Sequence, residues 1–122
     1  MKYTIEYSKQ AIRDMDRVWA EVFSSSKNYD TASQYLTDLL DTVERKTDFP
    51  KSGTPLYYDE IFTGYYFVVF KAYMAFYRIE NKRVLVDRIL YGKSDYLRQL
   101  YKQNSTNRNV LVDNKISEAN DD

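Results

Sequence analysis

The chain opens with alternating apolar and polar residues and then changes to a helical period. Residues 2–7 place tyrosine and isoleucine at alternate positions, which predicts a β-strand. Ser8 follows, a residue type that caps helices, and we expect a helix from there to about Phe23. Its predicted apolar positions are Ile12, Met15, Trp19, Val22 and Phe23.

A polar run at residues 24–28 separates this helix from a second one. Asp30 or Thr31 is the predicted cap of the second helix, whose apolar residues keep the helical period up to about Thr47. Because the connection is short, we expect the two helices to form an antiparallel hairpin.

The second half of the chain is rich in tyrosine, phenylalanine and valine, which favours β-strands. The predicted strands are Leu56–Phe62, Tyr65–Lys71, Tyr73–Glu80 and Arg83–Tyr91. Asn81 and Lys82 are predicted to form the last turn, so that Glu80 faces Arg83. The face toward the helices would then hold Tyr73, Tyr77, Ile79, Val84, Val86 and Leu90. The other face would hold Met74, Phe76, Arg78, Leu85, Asp87 and Ile89.

A short last helix is expected to begin at Ser94 or Asp95 and to end near Lys102. Residues 103–122 are polar and rich in asparagine, which is typical of a disordered tail. The sequence therefore predicts one α+β domain over residues 1–102. It would consist of an N-terminal strand and an antiparallel two-helix hairpin, packed on a mainly antiparallel sheet of four or five strands, and a short C-terminal helix.

Composition restricts the chemistry that this domain could perform. The chain contains no cysteine and no histidine, which removes disulfides, thiolate zinc sites and the commonest general base. No apolar run is long enough to span a membrane, and we expect a cytoplasmic protein that uses no membrane, metal or cofactor. Net charge is zero, but residues 71–102 carry eight basic and three acidic side chains, which favours an anionic partner there.

Gly92, Lys93 and Ser94 stand between the last predicted strand and the last predicted helix, as in a phosphate-binding loop. Such a loop needs a second glycine five residues before the Gly-Lys pair, so that backbone N–H groups can curl around the phosphates. Asp87 occupies that position, and its carboxylate would repel a phosphate. We therefore do not expect nucleotide binding.

The order of strand, two helices, strand meander and short helix resembles the small α+β toxins of the RelE/ParE superfamily. The resemblance covers about residues 2–101 and is carried by YTIEYSKQAIRDMDRVW at the start and by YMAFYRI and VLVDRILYGKSDY near the end. In the superfamily the last strand commonly ends in Arg-Ile-Leu-His-Gly-Arg-Arg-Asp. Here Tyr91, Lys93 and Ser94 replace the histidine and the two arginines.

This resemblance implies the toxin of a type II toxin–antitoxin pair, which a cognate antitoxin would bind and silence, as a dimer or a hetero-oligomer. The implied target is DNA gyrase, as for ParE-like members, or messenger RNA in the ribosome. In the histidine-free ribonucleases of the superfamily, the catalytic cations correspond to Met74, Ser94 and residues 65–67, where this chain has none. We therefore favour gyrase. The alternatives are a metal-independent endoribonuclease with a non-standard catalytic set and a non-toxic binding relative.

If the chain cleaves RNA, the candidate catalytic residues are Lys71, Arg78, Lys93 and Tyr96. The cations would hold phosphate or stabilise charge, and a tyrosine would stack on a base. The candidate contacts to an antitoxin or a target are Tyr65, Tyr66, Tyr91, Lys93 and Arg98. The sequence also allows structural roles, in which Arg78 pairs with Asp87 across the hairpin and Arg88 bonds a carboxylate or a carbonyl on the helix side.

Overall fold

The computed structural model describes residues 2–100, and the chain divides into two compact units after Gly92. The elements of the first unit are β1 (Thr4–Tyr7), α1 (Lys9–Ser26), α2 (Tyr29–Glu44), β2 (Thr54–Tyr58), β3 (Ile61–Phe70), β4 (Tyr73–Glu80) and β5 (Arg83–Tyr91). Short 3₁₀ turns span Arg45–Thr47 and Pro50–Ser52. In the second unit residues 96–100 are helical. The predicted helix end at Lys102 and the predicted tail lie outside the described residues.

The strands form one five-stranded sheet in the order β1-β5-β4-β3-β2. β1 runs parallel to β5, with Thr4 opposite Arg83, whereas β2, β3, β4 and β5 are joined in sequence as antiparallel pairs. The predicted α+β architecture, with a helical hairpin and a mainly antiparallel sheet, is confirmed.

Both long helices begin at a side-chain cap. The Ser8 hydroxyl accepts a hydrogen bond from the Ala11 N–H at 2.9 Å, as predicted. The cap of α2 is Asn28, whose side-chain oxygen accepts from the Thr31 N–H at 2.9 Å, so the prediction of Asp30 or Thr31 was wrong. The connection is shorter than the polar run suggested, because α1 continues to Ser26 and only two residues separate the helices.

The helices pack on one face of the sheet and enclose the core. Its buried members are Ala11, Val18, Leu39, Val43, Tyr73, Ala75, Tyr77, Val84, Val86 and Ile89. Met15 and Val22 of α1 pack against this cluster, as their spacing predicted. Ile12 and Phe23 do not, since they are 51% and 38% exposed and lie on another side of the helix. The apolar stripe read from the sequence was therefore too wide.

The predicted strand Leu56–Phe62 was wrong, because it contains a turn. Asp59 and Glu60 connect β2 to β3 with φ values of 54° and 68°. Glycine and asparagine normally supply such positive φ angles in hairpins, so an Asp-Glu pair gives little turn signal. The predicted turn at Asn81 and Lys82 is confirmed, with φ values of 50° and 63°.

The register of the last hairpin is as predicted from its turn up to the pair Tyr77 and Val86. Phe76 then pairs with Arg88, which leaves Asp87 as an extra residue in a β-bulge. A bulge reverses the alternation of faces beyond it. Ile89 therefore joins the core toward the helices, and the predictions that Leu90 would lie there and Ile89 on the other face were wrong.

Candidate functional site

The bulge is stabilised by a network of polar side chains on the sheet. Asp87 is 3% exposed and accepts hydrogen bonds from the Arg78 Nε at 2.7 Å and from the Tyr65 hydroxyl at 2.8 Å. Burial, and then the charge of Asp87, raise the pKa of Tyr65, so its hydroxyl stays a donor. Burial lowers the pKa of Arg78, but the hydrogen bond and charge of Asp87 outweigh it and raise the pKa overall. The predicted pairing of Arg78 with Asp87 is confirmed.

A second buried carboxylate joins α1 to β5. Asp14 is 2% exposed and accepts from Arg88 Nε at 2.8 Å, from Arg17 Nη1 at 2.8 Å and from the backbone N–H of Ile89 at 2.8 Å. Arg88 is a structural residue bonded to a carboxylate, as predicted. The sequence did not single out Asp14, because one acid among several on a helix carries no signal of its partners.

The candidate cations of the first unit do not converge. Lys71 lies in the turn before β4, and its ammonium nitrogen is 5.3 Å from the ring centre of Tyr35, on α2. Arg78 is seven residues further along, which is roughly 20 Å along an extended strand. Arg83, the remaining arginine of the sheet, pairs with Glu6 at 3.2 Å. The three sheet arginines are thus each paired with a carboxylate.

Two of the candidate tyrosines point to opposite faces of the sheet. Tyr65 bonds Asp87 and is 2% exposed, whereas Tyr66 stacks on Tyr77 with ring centres 5.7 Å apart and packs against the core under the helices. Tyr91, at the end of β5, is 44% exposed. Of these three candidates, Tyr91 presents the most surface to a partner.

The other candidates belong to the second unit. Lys93 and Arg98 are exposed, and Tyr96 is half-buried. The guanidinium of Arg98 lies 3.2 Å from the carboxylate of Asp95, the residue just before the helix. The roles of Lys93, Tyr96 and Arg98 in binding or catalysis stay predictions.

Tyr91 also lines an open cleft of about 600 Å³, a volume typical of binding pockets. The cleft lies between the C-terminal part of α1, α2, and the adjoining ends of β4 and β5. Its lining residues are Glu21, Val22, Ser25, Ser26, Tyr35, Ala72, Tyr73 and Tyr91. They come from two helices, two strands and the turn before β4, so the sequence could not group them. Tyr91 is the lining residue that the sequence indicated as a binding candidate.

The walls of this tyrosine-lined cleft are fixed by mutual contacts. The Tyr73 ring centre lies 6.1 Å from that of Tyr35 and 5.9 Å from that of Tyr91, both edge to face. The Tyr73 hydroxyl donates to the carboxylate of Glu21, and Arg17 Nε lies 3.7 Å from the other oxygen of that carboxylate. Burial, with a further effect of Glu21, raises the pKa of Tyr73. The cleft therefore offers apolar ring surface beside one carboxylate, which suits binding better than proton transfer.

Two further findings concern metal binding and membrane-spanning helices in the described part of the chain. Within residues 2–100 no group of three acidic side chains is arranged to hold a metal ion. No helix in that range is long and apolar enough to cross a membrane.

Comparison with known proteins identifies the family. The family model described as the ParE toxin of type II toxin–antitoxin system, parDE, matches residues 5–96. No curated protein matches the chain in sequence. Among solved structures, the chromosomal ParDE toxin–antitoxin system from Pseudomonas aeruginosa is similar with a TM-score of 0.62 and 14% identity, over 74% of this chain and 96% of that one.

The toxin–antitoxin complex RelBE2 from Mycobacterium tuberculosis is similar with a TM-score of 0.53 and 18% identity, over 75% of this chain and 99% of that one. At such identities the structural likeness shows a shared fold. The family match spans the helical hairpin, all five strands of the sheet and the start of the last helix. The chain therefore belongs to the ParE toxin family of type II toxin–antitoxin systems, within the RelE/ParE superfamily.

Proposed function

We propose that this toxin arrests bacterial growth by binding DNA gyrase in the cytoplasm, and that a cognate antitoxin binds it and silences it. The observation that carries the choice of gyrase over RNA cleavage is the pairing of the sheet arginines. Arg78 pairs with Asp87, Arg83 with Glu6, and Arg88 with Asp14.

RNA cleavage by the 2′-hydroxyl needs a base, an acid and a cation that meet at one phosphate. A well-placed donor to the transition state contributes roughly 3 to 4 kcal/mol. Lys71 packs on rings of the helix side, and the charge of Arg78 is compensated by a buried carboxylate at 2.7 Å. An arginine held in this way would have to exchange its partner before it could stabilise a phosphorane. This arrangement favours a toxin that acts by binding.

The tyrosine-lined cleft supports an antitoxin as partner. Two of the similar solved structures are toxin–antitoxin assemblies, which makes an antitoxin the expected ligand of this chain as well. An amphipathic segment could place an apolar side chain on the exposed ring of Tyr91, which is held against the buried Tyr73, while a lysine or arginine reached Glu21. Tyrosine is among the residues most often found at the centre of protein interfaces.

Induction of the full chain in bacteria tests both the action on gyrase and the silencing by an antitoxin. We expect growth arrest with double-strand DNA breaks and intact transcripts, and rescue by co-expression of the cognate antitoxin. A Tyr91→Asp variant should remain toxic but escape rescue, whereas Lys51→Gln, on the exposed turn before β2, should behave as the parent protein. Cuts in messenger RNA at the ribosomal A site would overturn the choice of gyrase. Folded protein without growth arrest would indicate a non-toxic relative.

A further inference from the structure

Four exposed apolar side chains lie at the tip of the β2–β3 hairpin, two on each face of the ribbon. They are Tyr57, Tyr58, Ile61 and Phe62, which are 56%, 49%, 70% and 42% exposed. Tyr57 pairs with Phe62 across the hairpin, and Tyr58 pairs with Ile61. The described pairing of β3 with β4 runs from Tyr66 to Phe70, so the tip extends beyond the neighbouring strand. The projecting tip thus offers a partner exposed apolar side chains on both of its faces.

A row of aromatic rings connects this hairpin tip to the core. Ring centres are 5.7 Å apart for Tyr57 and Phe62, 5.4 Å for Phe62 and Tyr66, and 5.7 Å for Tyr66 and Tyr77. Tyr77 is fully buried, and its hydroxyl donates to the carbonyl of Pro50 at 2.5 Å. Aromatic side chains that are already held in place lose little conformational entropy on binding. The exposed rings are therefore suited to anchor a partner.

The charge of the hairpin tip restricts what that partner could be. Residues 54–70 contain Asp59 and Glu60 but no lysine or arginine. Both acids are exposed and form the turn itself. Their charge repels a phosphate backbone and an anionic membrane surface. It attracts a protein segment that carries lysine or arginine.

The edge strand β2 carries features that hinder the addition of another strand. Pro55 has no N–H to donate, and the register shifts between Pro55 and Tyr57. The Thr63 hydroxyl donates to the Leu56 carbonyl at 2.7 Å, which occupies an acceptor within this irregular part of the hairpin. A partner is thus expected to contact the side chains of the tip rather than to extend the sheet.

We propose that the hairpin tip is a docking surface for a protein segment that presents aliphatic side chains flanked by lysine or arginine. It lies on elements other than those that form the tyrosine-lined cleft. The proposal does not depend on toxicity or on the choice between gyrase and RNA.

The test is NMR titration of the ¹⁵N-labelled full chain with two synthetic helical peptides. Both carry the same leucines, but one is flanked by lysines and the other by glutamates. We expect amide shifts at residues 57–62 with the lysine peptide, and binding of the glutamate peptide to be weaker by at least about tenfold. The same spectra report whether each variant is folded.

Two changes separate the apolar and the charged contributions. Ile61→Thr keeps a β-branched strand residue and should weaken binding of the lysine peptide by at least about fivefold. Asp59→Asn with Glu60→Gln removes both charges and should weaken it by roughly three- to tenfold. Val69→Thr, at a position 55% exposed elsewhere on β3, is the matched control and should leave binding unchanged.

Four results would overturn the proposal. They are equal binding of the two peptides, shifts that fall outside the tip, binding of a single-stranded oligonucleotide or anionic vesicles at the tip, and self-association that Ile61→Thr abolishes. The last would make a second copy of this chain the occupant.

Discussion

Asp14 is the residue whose loss should destabilise the fold most. Its carboxylate is 2% exposed and bonds Arg88, Arg17 and the backbone N–H of Ile89. Asp14→Ala leaves the Arg88 guanidinium, 12% exposed, without its carboxylate. Breaking one side of a buried ion pair costs about 3 to 5 kcal/mol. Since a domain of this size is stable by about 5 to 15 kcal/mol, the variant should be marginally folded.

Urea unfolding of the full chain, followed by fluorescence of its single tryptophan, Trp19, measures this loss. With a urea dependence of about 1.5 kcal/mol per molar, the transition midpoint should fall by roughly 2 to 3 M. Asp16→Ala is the matched control, because Asp16 is an exposed acid on the same helix, and its change should stay within about 0.5 kcal/mol.

A second substitution should restore part of the stability that the loss of Asp14 removes. Asp14→Leu with Arg88→Met removes both charges and should be more stable than Asp14→Leu alone, because no unpaired charge remains buried. A loss below about 1 kcal/mol for Asp14→Ala, a small value for a fully buried carboxylate, would refute the assigned role. So would a double variant that is no more stable than the single one.

Three further predictions concern the sheet. Gly53 lies just before β2, and a Cβ added there would lie 2.2 Å from the Tyr77 hydroxyl oxygen, so Gly53→Ala should destabilise the protein. In urea unfolding, adding Tyr77→Phe to this variant should restore part of the lost stability. Burial raises the pKa values of Tyr7 and Tyr77 to about 12, above the unfolded value of 10.0, so the free energy of unfolding should be highest below pH 10 and fall as pH rises toward 12. Tyr77→Phe should make the urea midpoint fall less steeply over this pH range. An unchanged slope would contradict the contribution of Tyr77. Arg78→Gln should lower the free energy of unfolding by about 1 to 3 kcal/mol yet leave growth inhibition intact, whereas lost inhibition in a stable variant would assign Arg78 to catalysis.

The sequence predicted elements whose signals are local. Ser8 is a cap followed by a helical period, and Asn81 with Lys82 forms a turn between two clear strands, so both were recognised. The turn at Asp59 and Glu60 was missed, because its positive φ angles are imposed by the pairing of β2 with β3 and not by turn-forming residues.

The remaining differences have a long-range origin. The bulge at Asp87 is stabilised by Arg78 and Tyr65, from β4 and β3, and by the Ser8 hydroxyl, which donates to the Asp87 carbonyl at 2.7 Å. A pattern of alternation cannot reveal contacts between residues that are far apart in the chain. The tyrosine-lined cleft has the same origin. Arg78 and Arg88 could be recognised as structural, because the predicted register placed Arg78 on the same face as Asp87 and Arg88 on the side of the helices.

The action on gyrase can be measured directly with the purified protein. This protein would be incubated in parallel with DNA gyrase on plasmid DNA and with ribosomes translating a defined message. We expect gyrase to accumulate cleaved plasmid in proportion to added protein, with the message intact. Cleavage of the message in the ribosomal A site, with gyrase activity unchanged, would contradict the proposed action on gyrase.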